Sequence, residues 1–215
     1  MQSFANDFKE AESLFRQGKF ALAKPLFEKI VKSDAKNYKA IEYLGDIAGH
    51  AKNWNEAIKN YETLKKADPK NANYQFKFGG ALGMKAKDAN KFAALGMLDE
   101  VENAFLTAAK LDSKHIESRW ALVEFYLQVP GILGGSEKKA QQFADGLLAI
   151  SPVDGYLARG HIQEYFGRFL KAEPEYKKAF EIGQSKTTFQ KLYNLYKNKL
   201  NQSKKATALK QAFEK

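Results

Sequence analysis

Residues 11–27 read AESLFRQGKFALAKPLF, and residues 45–61, 34 positions further on, read GDIAGHAKNWNEAIKNY. A small residue, an apolar residue, a turn, an aromatic, a small residue and an aromatic follow in the same order in both stretches. The matched positions are Ala11, Leu14, Gly18, Phe20, Ala23 and Phe27, then Gly45, Ala48, Lys52, Trp54, Ala57 and Tyr61. This period predicts helix–turn–helix units that must stack, because one unit cannot bury its own apolar face. The small and aromatic residues are therefore interpreted first as core packing.

The composition is that of a single globular or repeat body, with 44% hydrophobic and 28% charged residues in 215. The chain has no cysteine, which excludes disulfides, zinc–thiolate sites and thiol catalysis. No apolar run approaches the roughly 18 residues that a membrane-spanning helix needs. The first residues lack a basic segment followed by an apolar one. Two expectations follow: a periplasmic or exported protein whose signal peptide has been removed, or a cytoplasmic one.

The net charge of +10 is concentrated towards the C-terminus. Between Lys171 and Lys215 there are 11 lysines, no arginine and 4 glutamates, a net of +7. The first interpretation is a solvated pair of capping helices, as the terminal repeats of such arrays require. The alternative is an electrostatic binder of an anionic surface, either nucleic acid or envelope lipid. Lysine lacks the bidentate fork of arginine, so specific nucleic-acid recognition is not favoured.

The periodicity predicts one array over residues 1–215, with a helical content far above the globular average of about a third. The predicted repeats are 4–37, 38–71, 72–115, 116–154 and 155–186, followed by a cap at 187–215. The third repeat contains an insertion at 85–97, and its second helix is expected from about Leu98. Because the insertion includes Phe92, Leu95 and Met97, which need cover, it is predicted to be a helical extension that packs.

The pattern resembles the tetratricopeptide repeat superfamily over nearly the whole chain. The segments 111–114, 120–128 and 130–136, the last reading PGILGGS, are similar to a group of small bacterial tetratricopeptide proteins that are often exported. In that group a Pro-Gly-x-x-Gly-Gly-Ser turn joins two repeat helices. The resemblance implies an all-α, right-handed solenoid of about five repeats plus a capping helix pair, with a protein-binding role and no catalytic residues.

The glycine-rich turn at 130–136 also invites comparison with a phosphate-binding loop. It lacks the Gly-Lys-Ser/Thr ending of a nucleotide loop, and no strand is predicted before it. The favoured interpretation is a shaped turn in which Pro130 stops one helix, glycines adopt positive φ and Ser136 caps the next helix.

Catalysis and metal binding have little support in the sequence. His50, His115 and His161 do not pair in a metalloprotease motif. The His161–Glu164 spacing places both residues on one helix face, but a di-metal carboxylate site needs that motif twice. No nucleophile elbow or Ser–His–Asp arrangement is visible. We therefore predict no enzyme activity, no metal and no cofactor.

The best candidates for function lie on the first helix of each repeat, which lines the concave groove in the resembled superfamily. The predicted peptide-binding residues are Phe8, Glu12, Tyr43, Asp46, Phe76, Trp120, Glu124, His161 and Glu164. Aromatic residues edged with carboxylates suit an extended peptide with apolar and basic side chains. A carboxylate clamp of the chaperone type is not expected, because Glu12 and Asp46 stand where such a clamp has Asn. The alternative is that several of these aromatics pack between repeats.

Overall fold

A computed structural model describes the backbone of residues 2–214 and the side chains of residues 6–214. Within that range 83% of the chain is helical and no strand occurs, as the periodicity predicted. The twelve α-helices of these residues are α1 (Gln2–Arg16), α2 (Phe20–Ser33), α3 (Tyr38–His50), α4 (Trp54–Ala67), α5 (Ala72–Asp88), α6 (Lys91–Leu111), α7 (Ile116–Gln128), α8 (Glu137–Ile150), α9 (Pro152–Tyr165), α10 (Phe169–Gly183), α11 (Lys186–Asn194) and α12 (Ser203–Phe213). A 3₁₀ turn, Gly131–Leu133, follows α7, and a π-helical turn, Leu195–Lys199, follows α11.

Residues 1–113 and 114–215 form two compact units, called unit 1 and unit 2 below. In each unit every helix packs on the next helix along the chain, so the helices run in successive antiparallel pairs. The pairs are α1–α2, α3–α4 and α5–α6 in unit 1, and α7–α8, α9–α10 and α11–α12 in unit 2. The odd-numbered helices are the first helices of these pairs. The predicted fold class, an all-α array of helix pairs, is confirmed.

Most helices start at a polar residue whose side chain accepts a hydrogen bond from the backbone N–H three residues on. Asn37 accepts from Ala40 at 3.1 Å in this way, and Asn71, Asn90 and Ser185 do the same for their own helices. Such caps satisfy N–H groups that have no partner inside the helix. Local sequence therefore determines where the helices start.

The repeat signature forms the core. Ala11, Ala23 and Phe27 are fully buried together in unit 1. A Cβ atom placed on Gly45 would lie 2.5 Å from the ring of Tyr61, and the same distance separates a Cβ on Gly160 from Tyr176. The small positions are thus needed so that an aromatic ring of the second helix can pack against the backbone of the first.

The insertion in the third repeat differs from the prediction. It lengthens both helices of the pair, so α6 begins at Lys91 rather than near Leu98, and only a short turn separates the two. The expectation that its apolar side chains are covered is wrong for two of them. Phe92 is 89% exposed and Leu95 is 41% exposed, whereas Met97 is half-buried.

One further boundary shifts for a local reason. The first helix of the fifth repeat begins at Pro152, three residues before 155, because Ser151 caps it and proline is well tolerated at the first helical position. Ser136 caps α8 as predicted, and Gly134 has a φ of +102°. Within residues 2–214 no helix is long and apolar enough to cross a membrane.

Candidate peptide-binding site

In unit 1 the predicted aromatic residues pack against other aromatic rings, and Phe8 and Tyr43 do so between repeats. The ring of Tyr43 on α3 stacks on Phe27 of α2 with 4.7 Å between centroids and 12° between planes. The ring of Phe8 meets both of these rings edge-on, at 5.8 Å from Phe27 and 6.2 Å from Tyr43. Phe76 lies 6.0 Å from the ring of Phe105 within the α5–α6 pair. All three predicted aromatics are half-buried, so each contributes to packing and still presents part of its ring to solvent.

The hydroxyl of Tyr43 ties α3 to α1. It donates a 2.7 Å hydrogen bond to Glu12, which also pairs with Arg16 at 3.2 Å. Burial first, and then the hydrogen bond to Glu12, raises the pKa of Tyr43 to about 12. The same hydrogen bond is the main reason why the pKa of Glu12 lies below its usual value. Tyr43 is therefore held protonated and in place by its neighbours.

A charge network on the first helices of unit 1 surrounds Lys77. Its Nζ donates to both oxygens of Asp46, at 2.7 and 2.9 Å, and lies 2.7 Å from an oxygen of Glu42. Asp46 also accepts a 2.6 Å bond from the hydroxyl of Tyr61, and Glu42 accepts one from Asn73 at 3.2 Å. Burial alone would raise the pKa of Glu42, but the hydrogen bond and charge of Lys77, aided by Lys39, lower it overall.

Beside this network an open cavity of about 310 Å³ lies between α1, α3 and α4. It is lined by Phe15, Asp46, Gly49, His50 and Tyr61. The ring of His50 stacks on Phe20 at 4.4 Å, and Phe15 lies 6.3 Å from His50. The cavity therefore combines aromatic rings with a carboxylate, and Gly49 adds no side chain to its lining.

In unit 2 the predicted residues lie on α7 and α9. Trp120 donates from Nε1 to Asp154 at 2.9 Å, and its ring packs against the core of the unit, 6.4 Å from the ring of His161. Nε2 of His161 lies 2.7 Å from Oε1 of Glu124, a close contact without the alignment of a hydrogen bond. Contact with His161 is the main cause of the lowered pKa of Glu124, and burial opposes it.

Glu164 belongs to a contact that both units contain. It accepts a 2.6 Å bond from the hydroxyl of Tyr176, as Asp46 does from Tyr61. In each case the tyrosine lies on a second helix, next to the glycine against which its ring packs. Burial, followed by the nearby carboxylate, raises the pKa of both tyrosines.

The nine predicted residues thus separate into five in unit 1 and four in unit 2, and their role in peptide binding stays a prediction. All four carboxylates already have partners on the chain itself. Of the five residues that line the cavity, the predicted set includes only Asp46. The sequence does contain a signal for the cavity. Phe15 and Gly49 are 34 positions apart, so the second repeat has no side chain at the position where the first repeat has a large aromatic one. Within residues 6–214 no three His, Asp or Glu residues are arranged to hold a metal ion.

These observations define an all-α protein of successive helix pairs. A family model of the tetratricopeptide repeat matches residues 8–72. Together with solved structures of tetratricopeptide proteins, this match supports the tetratricopeptide repeat superfamily. The matched segment ends before residues 130–136, so the likeness to bacterial proteins with the Pro-Gly-x-x-Gly-Gly-Ser turn stays a prediction. No curated protein sequence matches the chain.

Solved structures with this fold cover almost the whole chain. TTC0263 of Thermus thermophilus, a tetratricopeptide protein, has a TM-score of 0.67 at 18% identity, over 96% of this chain and 98% of its own. PilW, a type IV pilus biogenesis factor, has a TM-score of 0.71 at 15% identity, over 100% and 93%. YrrB, a tetratricopeptide protein with an unusual peptide-binding site, has a TM-score of 0.56 at 16% identity, over 85% and 87%. At these identities the likeness shows the fold alone.

Proposed function

We propose that this chain is a non-catalytic scaffold that binds a peptide or protein segment against its first helices, with the cavity of unit 1 as the main contact. The observation that carries the proposal is the cavity itself, because partner side chains are recognised in concave places where a few polar groups fix their orientation. Its volume of about 310 Å³ is at the lower end for a ligand pocket, which suits one or two side chains of a longer segment. YrrB provides a precedent for peptide binding on this fold.

The chemistry of the lining indicates what the segment offers. Phe15 and His50 provide aromatic surface, and aromatic residues commonly anchor a partner. Asp46 already receives bonds from Lys77 and Tyr61, so its charge is largely matched. The same pairing lowers the preference for basic partners that the carboxylates alone suggested. We therefore expect a side chain with both apolar and polar parts in the cavity, because the rings of Phe15 and His50 share the lining with polar atoms.

The remaining residues predicted for binding are proposed as secondary contacts of the same kind. In unit 1 the contact would extend along the first helices to Phe8, Glu12, Tyr43 and Phe76. In unit 2 a partner would make a second set of contacts, with Trp120, Glu124, His161 and Glu164. Each is half-buried and braced by its neighbours, so little side-chain freedom would be lost on binding.

The test fills the cavity without removing any existing contact. A Cβ on Gly49 would meet only Trp54, at 3.9 Å, so Gly49→Leu places a side chain into the open space. Gly96→Leu is the matched control, because Gly96 is an exposed helical glycine with nothing within 4 Å of its Cβ position. Peptides are first selected on the wild-type chain from a phage-displayed random library, and their affinities for the three proteins are then measured by fluorescence polarisation.

We expect Gly49→Leu to weaken binding by about tenfold or more, the effect of losing one anchor side chain worth roughly 2 kcal/mol. Gly96→Leu should bind as the wild type does. Both substitutions should keep or raise the melting temperature, since they remove a glycine from a helix. Equal affinities for all three proteins, or failure to select any peptide, would exclude the cavity as the binding site.

A second candidate function is binding to an anionic surface through residues 171–215. All ten lysines that the structure describes in this segment are exposed, and Lys215 lies outside the described residues. Purely electrostatic binding of this kind weakens steeply as salt rises, whereas binding in an aromatic cavity does not. Salt dependence of capture therefore separates the two functions.

A further inference from the structure

The turns that join the two helices of each pair in unit 2 lie on one edge of that unit. We define this turn edge as residues 126–139, 163–171 and 197–205. Each range begins with the last three residues of a first helix, or of the π-helical turn that follows α11, and ends with the first three residues of the second helix. Observed contacts connect the three segments. Arg168 forms a bidentate pair with Glu137, at 2.5 and 2.8 Å, and Lys199 lies over the ring of Phe169 at 5.6 Å. The three segments therefore form one continuous surface.

Exposed apolar side chains are concentrated on the turn edge. Ile132 is 94% exposed and Leu170 is 72% exposed. Leu133, Tyr165 and Phe166 are also exposed there. On the opposite edge, among the described residues of unit 2, Ile182 is the one exposed large apolar residue, at 52%. Isolated exposed apolar residues are ordinary, but a group of five on one edge indicates a surface for contact.

The glycine-rich turn holds Ile132 in this exposed position. Gly135 donates to the carbonyl oxygen of Pro130 at 3.2 Å, and the N–H of Ser136 donates to that of Tyr126 at 2.9 Å. Gly134 has a φ of +102°, and a Cβ on Gly135 would overlap the carbonyl oxygen of Val129. Both glycines are thus required for a tight turn, and the turn presents an aliphatic side chain to solvent. A side chain that is 94% exposed contributes little to the packing of unit 2.

The charge of the turn edge is strongly positive. It contains eight basic and two acidic residues, a net of +6. The opposite edge, defined in the same way as residues 114–118, 148–154, 181–188 and 211–214, contains two basic and four acidic residues, a net of −2. The two acidic residues of the turn edge already accept bonds, Glu137 from Arg168 and Glu164 from Tyr176. A partner at this edge must therefore supply negative charge and accept apolar side chains.

We propose that the turn edge of unit 2 docks on the surface of an anionic phospholipid bilayer. Ile132 and Leu170 enter the boundary between head groups and acyl chains, while the surrounding lysines face the anionic head groups. Peripheral membrane binding depends on this combination of buried apolar area and positive charge. Nucleic acid would satisfy the lysines alone and leave both aliphatic side chains in water. The site is separate from the cavity of unit 1, so the two binding activities can be tested independently.

The experiment measures co-sedimentation of the full chain with vesicles. The wild-type chain should bind vesicles that mix phosphatidylcholine with phosphatidylglycerol and should not bind vesicles of phosphatidylcholine alone. The double variant Ile132→Ser, Leu170→Ser should lower the partition coefficient by about tenfold or more, because two of the inserted side chains are lost. Ile182→Ser is the matched control on the opposite edge and should bind normally. Unchanged melting temperatures are expected for all of these surface variants.

A second pair of variants tests the charge. Lys138→Glu, Lys204→Glu should weaken vesicle binding by at least about tenfold, since each basic residue near an anionic surface contributes appreciably. Lys178→Glu, Lys186→Glu changes the net charge equally, at exposed lysines of unit 2 outside the turn edge, and should have a smaller effect. The proposal is overturned if the wild-type chain ignores phosphatidylglycerol vesicles or if Ile132→Ser, Leu170→Ser binds them normally. It is equally overturned if a DNA oligonucleotide binds more tightly than vesicles and is unaffected by that variant.

Discussion

Removal of Lys77 tests whether the charge network on the first helices holds unit 1 together. In Lys77→Met the methionine keeps most of the apolar stem and loses the ammonium group. Asp46 and Glu42 are then left as neighbouring carboxylates without the cation between them. Their other partners are weaker or more exposed: Tyr61 for Asp46, and Asn73 and Lys39 for Glu42.

The expected loss of stability follows from the geometry and the burial. The side chains of Lys77, Asp46 and Glu42 are 19%, 24% and 10% exposed, so the pairs are neither fully buried nor on the open surface. An exposed ion pair contributes about 0–1 kcal/mol, and breaking a buried one costs about 3–5 kcal/mol. Hydrogen bonds to charged groups contribute about 1.5–3 kcal/mol. We expect a loss of about 2 kcal/mol, which corresponds to a fall of roughly 4–8 °C in melting temperature for a chain of this size.

The pH dependence of this loss has a definite sign. The folded pKa of Glu42 lies below its ordinary value of 4.5, so its contribution to stability is present above that value and disappears as pH falls through the folded pKa. In Lys77→Met the burial of Glu42 remains and the main cause of the lowering is gone, so its folded pKa rises. As pH falls, protonation of Glu42 then removes its unpaired charge and restores part of the stability of the variant. The stability difference between wild type and variant should therefore be largest near neutral pH and shrink as pH falls below 4.5.

Thermal and urea unfolding followed by circular dichroism, near neutral pH and again at about pH 4, measure both effects. Lys59→Met is the control, because Lys59 is an exposed lysine in the same unit, and its loss should change stability by less than about 0.5 kcal/mol. If Lys77→Met unfolds like the control, the network does not hold the first helices. If its deficit stays constant when the pH is lowered, Lys77 is not what lowers the pKa of Glu42.

Two other predictions concern packing and ionisation in unit 1. Gly79→Ala should destabilise the chain by about 1–3 kcal/mol, because the new Cβ would lie 2.9 Å from the Cβ of Ala104. Gly80→Ala, whose Cβ has nothing within 4 Å, should stabilise the chain by about 0.5–1 kcal/mol. Equal shifts in melting temperature for the two variants would contradict the close packing at Gly79. Because the pKa of Tyr43 is raised to about 12, its contribution to stability should be full below the ordinary value of 10.0 and be lost as pH rises through about 12. Difference ultraviolet titration against Tyr43→Phe should show the high pKa, and Glu12→Gln should lower it. An unshifted value in the wild type would contradict the burial and the hydrogen bond together, and a value that Glu12→Gln leaves unchanged would exclude the hydrogen bond.

The fold was predictable because the repeat signature reports close packing directly. Gly45 and Tyr61 recur in type and spacing because one helix backbone must meet one aromatic ring, and this requirement is local to each pair. The length of the insertion could also be predicted from the sequence, but the number of inserted residues that joins α5 and the number that joins α6 could not. Both sides of the turn consist largely of helix-forming residues, so the chain can lengthen either helix, and Asn90 as the N-cap of α6 determines the outcome.

The candidate site was predictable only in part, because it depends on how neighbouring helices are placed. Periodicity assigns Tyr43 and Asp46 to a first helix and a common face. It does not reveal that Tyr43 stacks on Phe27, or that Lys77 neutralises Asp46 from the next repeat. Such pairings depend on side-chain reach across an interface, where a shift of a few ångströms decides between a salt bridge and two free charges.

Function in this chain is therefore best sought where the repeat departs from its own period. The buried small and aromatic positions that keep the period, such as Ala23, Phe27 and Tyr61, belong to the core, and changing them tests stability rather than recognition. The two proposed sites are both departures: Gly49 stands where the preceding repeat has Phe15, and residues 130–136 replace a short turn by a longer one that exposes Ile132. Neither departure is required for stacking, and Gly134 and Gly135 add a local constraint that a simple connection does not need. Because Gly49→Leu and Ile132→Ser leave the core unchanged, a loss of binding in either variant can be assigned to the site itself.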